Sequence, residues 1–197
     1  HKACICDRLP NDRMKIAFCL LPLALFAGRA NALPGQTTEE VAAWIQANPT
    51  LSPSNGERLF VQKTDTAARH FEFQASVLPP GKVTFPRDRG TIRTERILLF
   101  DMSNGVTPER LQESLRVIYS LDIYQDYNRA QVVYQYPNES VINQARTQRK
   151  PLREALQGQL RLGDRYAYWL EVAQPQQGKA VTGQMTIMLK SDLDKLE

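Results

Sequence analysis

The sequence predicts an α+β fold: an antiparallel sheet of about five or six strands with helices mainly on one face. Three observations lead there. Segments with a period of two follow one another through loops, which favours antiparallel pairing. Helix-like segments come in clusters and not after every strand, so the regular alternation of a doubly wound sheet is missing. The chain of 197 residues is 42% hydrophobic and 23% charged, enough apolar material for one core.

The elements follow in order. Thr37 can cap a helix with Glu40 three residues on, and Val41, Trp44 and Ile45 then share one face. Asn48-Pro49 ends that helix, and residues 49–56 form a loop rich in Pro, Ser and Asn. Residues 59–62 make a short strand. In residues 71–77, Phe71, Phe73, Ala75 and Val77 alternate with Glu72, Gln74 and Ser76, a strand with one buried and one wet face. Pro79-Pro80-Gly81 stops it and opens a long hairpin loop through residue 90. Residues 92–102 form a third strand. Its run Ile97-Leu98-Leu99-Phe100 predicts a central strand covered on both faces.

Asn104-Gly105 turns the chain, and Thr107-Pro108-Glu109 starts a helix with Thr as cap and Pro at the first helical position. Leu111, Leu115 and Ile118 make its buried stripe. Residues 122–129 read as a short helix or a loop. Residues 131–136 are a strand closed by Pro137-Asn138. Residues 139–156 have a helical pattern that Pro151 should break or kink. Two long alternating strands follow, carrying Tyr166, Tyr168, Leu170 and Val172, then Met185, Ile187 and Leu189. A polar link of residues 174–183 joins them, and residues 191–197 can add a last helical turn.

The front of the chain reads as a leader. Arg13 and Lys15 precede the apolar run of residues 16–27, and Ala30-Asn31-Ala32 supplies the small-x-small pattern of a signal-peptidase site. Pro22 interrupts the run, and no apolar run reaches the roughly 18 to 20 residues of a membrane-spanning helix. Residues 14–32 are therefore expected to be a signal peptide. Residues 1–13 are expected to be a non-native or mis-assigned extension ahead of Met14, and residues 33–197 a single exported domain. Removing the first 32 residues takes away five basic and two acidic residues, which leaves 20 against 19 and a net charge of +1. It also removes Cys4, Cys6 and Cys19. The remaining domain has no thiol chemistry, and the prior for nucleic-acid binding that a basic chain would raise disappears. The address implied by the leader is extracytoplasmic, periplasmic or secreted.

The motifs exclude more chemistry than they suggest. The exported domain has one histidine, His70, beside Arg69, and no Gly-x-Ser-x-Gly elbow. An exposed strand-end histidine is the expectation, not a catalytic base. Asp122 and Asp126 are too sparse for a calcium loop, and no phosphate-cradling glycine pattern occurs. No metal or cofactor is expected. Glu95, Asp101 and Glu171 could pair across strands as the carboxylates of a hydrolase.

Two features suggest contact surfaces. Residues 119–136 hold five of the seven tyrosines: Tyr119, Tyr124, Tyr127, Tyr134 and Tyr136. Tyrosine gives large contact area at low entropic cost. The competing expectation is that Tyr134 and Tyr136 pack under the sheet while the rest wedge a loop against it. Arg146, Arg149, Lys150, Arg153, Arg161 and Arg165 form a basic stretch able to meet an acidic partner or anionic surface.

Leu33-Pro34-Gly35-Gln36, Glu40 to Ile45, Arg110-Leu111 through Ser120 and Tyr124-Gln125-Asp126-Tyr127 resemble small exported cyanobacterial proteins of unassigned function. The resemblance implies a periplasmic or lumenal address and brings no catalytic residues. The expectation is an exported, non-enzymatic binding or assembly protein that uses Tyr119, Tyr124, Tyr127 and the basic stretch to meet a protein or anionic surface. The alternatives are an extracytoplasmic hydrolase with paired carboxylates and a lumenal or periplasmic accessory of a membrane complex.

Overall fold

The computed structural model describes residues 32–82, 84–136, 147, 156–173 and 179–195. These form α1 (Thr38–Ala47), β1 (Phe60–Thr66), β2 (Arg69–Ser76), β3 (Thr94–Asp101), α2 (Pro108–Ile118), α3 (Leu121–Arg129), β4 (Gln131–Tyr136), β5 (Leu156–Leu162), β6 (Tyr166–Ala173), β7 (Thr182–Leu189) and a 3₁₀ segment, Lys190–Lys195. The strands make one sheet in the order β1-β2-β3-β7-β6-β5-β4, with every neighbouring pair antiparallel. Two meanders, β1 to β3 and β4 to β7, thus meet where β7 pairs with β3. The α+β class is as the sequence predicts, with seven strands where five or six were expected.

Register decides which side chains share a face. Phe73 lies opposite Ile97, Ile97 opposite Met185 and Met185 opposite Leu170, so one apolar row crosses four strands. Val41 and Ile45 of α1, Leu111 and Leu115 of α2, and Ile123 and Tyr127 of α3 pack into the same cluster. Each such aliphatic side chain stabilises the fold by about 1.5–3 kcal/mol on burial. The alternate residues, among them Gln74, Arg96, Thr186 and Trp169, face the other way and are half-buried. Among the described residues all three α-helices pack on the Phe73 side.

The helix starts follow their local chemistry. The Thr37 hydroxyl accepts the Glu40 N–H at 3.2 Å while Glu40 accepts the Thr37 N–H at 2.9 Å, a closed capping box. The Thr107 hydroxyl accepts the Arg110 N–H at 3.3 Å, with Pro108 in the first turn. Residues 121–129 are a helix and not a loop. They bury Ile123, Asp126 and Tyr127 on one side. Gly183 lets α2 approach β7, because a Cβ there would meet the Leu111 side chain of α2 at 3.0 Å, and Val106 just before the helix at 2.8 Å.

Two expectations need correction. Strand β5 was hidden within and beyond the helical pattern of residues 139–156. Leu156 opens this strand, and residues 139–155, apart from Thr147, lie outside the described residues. Strand β3 is central in the sheet, but Leu98 and Phe100 point away from the helices and stay half-exposed, and Leu99 on the helix side is only partly buried, so of this run Ile97 alone is fully covered. Both outer strands have irregular register: β1 shifts between Thr64 and Thr66, and β4 between Val132 and Tyr134. Among the described residues no helix is long and apolar enough to cross a membrane. The leader expected at residues 14–32 lies outside the described residues except for Ala32, which is buried with Leu33.

Candidate binding face

The side of the sheet that carries no α-helix among the described residues bears a hydrogen-bonded patch built from four strands. In its centre Trp169 of β6 pairs with Thr186 of β7 and Leu160 of β5, and Leu160 pairs with Tyr134 of β4. One row along, Gln184, Glu171, Gly158 and Tyr136 stand side by side. Gly158 is required by its neighbour: a Cβ there would sit 2.0 Å from the Tyr136 ring. The ring therefore lies across the strand at this point and reaches inward over β5.

From there Tyr136 links the patch. Its hydroxyl accepts the Trp169 indole N–H at 2.5 Å and donates to Glu171 Oε2. Glu171 Oε1 accepts from the Gln184 amide at 3.0 Å. Burial, and then the Glu171 carboxylate, raise the Tyr136 hydroxyl well above the usual tyrosine range, so it stays a donor at neutral pH. Tyr134 stands 5.8 Å from Tyr136 between ring centres and is 60% exposed. Toward β2, Arg96 donates to Gln74 Oε1 at 2.9 Å. Between Arg96, Trp169 and the turn at residues 78–81 lies a depression of about 290 Å³. The patch offers aromatic surface, a guanidinium and oriented amides on a rigid sheet.

The structure disperses the residues singled out from sequence. Tyr119 stacks on Trp44 at 5.8 Å and 18°, inside an aromatic cluster with Phe73. Tyr127 is 1% exposed and meets Tyr168 edge-on at 5.5 Å. Tyr124 is half-buried on α3. Tyr119 and Tyr127 therefore supply packing, while Tyr134 and Tyr136, expected under the sheet, are the tyrosines on the outer face. The reversal follows from register: Tyr134 and Tyr136 alternate onto the side without helices. Arg161 lies on the helix side over the Tyr127 ring, 4.6 Å from its centre. Arg165 pairs with Asp122 at 3.0 Å. Arg146, Arg149, Lys150 and Arg153 lie outside the described residues.

The proposed hydrolase carboxylates do not converge. Glu95 and Asp101 point to the helix side from opposite ends of β3, about 20 Å apart along the strand. Glu171 is on the opposite face. Asp101 accepts the backbone N–H groups of Ser103 and Asn104 at 3.0 and 2.8 Å and pairs with Arg110 at 2.9 Å. The Asn104 N–H contributes most to holding its carboxyl down at about 2. Glu95 is fully buried, takes a hydrogen bond from Tyr119 at 2.6 Å, and is pushed up to about 8 by burial. Asp126 is structural as well, accepting from Tyr168 at 2.6 Å and from the Asp164 N–H at 2.9 Å. Among the described residues no three metal-ligating side chains gather.

His70 departs from expectation in one respect. It is half-buried on the helix-free face and not exposed, with Nε2 at 2.7 Å from Glu72 and Nδ1 at 2.9 Å from the Thr64 hydroxyl. The signal that sequence reading lacked was the face assignment of Trp169, Glu171 and Gln184, which needs the pairing of strands far apart in the chain. No protein-family model matches the chain, nor does any curated protein or solved structure.

Proposed function

We propose that this is an exported binding protein that docks a protein partner on the helix-free face of its sheet, centred on Trp169, Tyr134 and Tyr136. The observation that carries the reading is the fixed Trp169–Tyr136–Glu171–Gln184 chain of hydrogen bonds. It holds aromatic side chains at the surface, with their polar atoms already partnered. Trp, Tyr and Arg are the residue types that dominate protein interfaces, and pre-ordered side chains cost less entropy on association. Arg96, half-buried beside the depression, adds a charged contact for an acceptor on the partner.

The extracytoplasmic address comes from the leader pattern of residues 14–32 and the thiol-free remainder. A photo-crosslinking amino acid at the exposed Tyr134, in cells that make the full chain, tests the reading. The expected result is a discrete protein adduct that disappears when Trp169 is changed to Ala in the same chain. Adducts that persist in the Trp169→Ala protein, or none from this face while a probe at Glu109 on α2 gives one, would move the site elsewhere. The hydrolase alternative has no support from Glu95, Asp101 and Glu171, which lie too far apart to share a substrate bond.

A further inference from the structure

A second cavity, of about 390 Å³, lies on the opposite side of the sheet between α2, α3 and the β4–β6 strands. Strand β5 inverts the usual pattern here. Gln157, Gln159 and Arg161 point to the helix side, whereas β6 presents Leu170 and Val172 beside them. Among the described residues the helices reach this end of the sheet only through Pro108, Gln112 and Tyr127. Gln112 of α2 and Gln135 of β4 complete a wall of amides.

Arg161 is held in place but not neutralised. Its guanidinium lies over the Tyr127 ring, its Nε donates to Gln159 Oε1 at 2.7 Å, and Nη1 reaches the Tyr127 carbonyl at 3.5 Å. Among the described residues no carboxylate comes within 4 Å of it. The remaining N–H groups of the fork are free to face the cavity. Next to it the Tyr127 hydroxyl is buried with no hydrogen bond of ordinary length, and Gln112 is the side chain that stands nearest to completing one. A half-buried guanidinium without a carboxylate partner among the described residues, beside a buried hydroxyl without a close hydrogen-bond partner, is a costly arrangement unless something completes it.

We propose that this cavity binds a small hydroxylated carboxylate of the sugar-acid class, with its carboxylate on Arg161. A single guanidinium fork matches one carboxylate in a bidentate geometry. Amide side chains both donate and accept, which suits hydroxyl groups and adds no further charge. Leu170 and Val172 give the apolar floor on which the C–H face of a sugar ring rests. The volume lies at the lower end of small-molecule sites, matching a ligand of one or two rings. The proposal does not depend on the partner-docking face, which lies on the other side of the sheet.

Titration calorimetry of the full chain with D-glucuronate and D-galacturonate, against the neutral D-glucuronamide, tests it. At least one acid is expected to bind, and the amide roughly tenfold or more weakly. Arg161→Gln is expected to remove the preference for the acid while the circular dichroism spectrum stays unchanged. Should that variant fail to fold, Gln157→Leu at the exposed rim is expected to weaken the same acid. The proposal is overturned if neither acid binds at concentrations up to about 20 mM, where the binding free energy would be only about 2 kcal/mol. It also falls if acid and amide bind alike, or if a folded Arg161→Gln protein binds as tightly as the original.

Discussion

Replacing Glu95 with Gln should stabilise the protein increasingly as pH rises. Glu95 sits in the core on β3 with Tyr119 donating to one oxygen and nothing bonded to the other. Burial pushes its carboxyl from 4.5 up to about 8, so the folded chain keeps it protonated at neutral pH. The unfolded chain releases that proton above about 4.5. Between these two values the folded state therefore binds more protons, and stability falls with rising pH. For this group alone, the loss between about pH 5 and pH 8 is roughly 3 to 4 kcal/mol. Glutamine keeps an oxygen for the Tyr119 hydroxyl and cannot ionise. Any fixed cost of burying its amide is the same at every pH. Urea unfolding of both proteins at about pH 5, 6.5 and 8 should therefore show a stability difference that grows in favour of the variant by roughly 3 to 4 kcal/mol. Parallel pH profiles for the two proteins would refute the reasoning and show that Glu95 is not protonated in the fold.

Three further outcomes test the architecture. Gly158→Ala places a Cβ against the Tyr136 ring and should displace it, at a cost of about 1–3 kcal/mol in urea unfolding and with altered Trp169 fluorescence. Asp101→Asn removes a carboxylate held at about 2; the original gains stability from it above its unfolded value near 3.8 and loses that gain as pH falls toward about 2. The Asn variant should thus unfold at lower urea at neutral pH and show a flatter acid limb in a pH titration of its melting temperature. Thr37→Ala opens the capping box at α1 and should cost about 1 kcal/mol in the same unfolding assay.

Local signals carried far in this chain. Thr37 with Glu40 and Thr107 with Pro108 mark helix starts by chemistry confined to four residues, and both helices begin there. The alternation of Phe71, Phe73 and Ala75 located β2 for the same reason. Strand β5 was illegible because Gln157, Gly158, Gln159 and Arg161 have little strand preference and no apolar face toward the helices. The binding face was illegible for a different cause. Tyr136, Trp169 and Gln184 come together only through the successive pairings of β4 with β5, β5 with β6 and β6 with β7, and a shift of one residue would turn each to the other side. Composition alone could not distinguish Tyr127, under the helices, from Tyr134, outside them.

The breaks in register at the two rims have a consequence for how molecules meet. A strand arriving from another copy needs a continuous ladder of N–H and C=O groups to zip along. At Thr64–Thr66 on one rim and Val132–Tyr134 on the other, that ladder changes step partway. An incoming strand that matches the first half is out of phase with the second. Lateral growth into a ribbon is thus penalised at both margins, although Val132, Val133 and Tyr134 would otherwise make a sticky border.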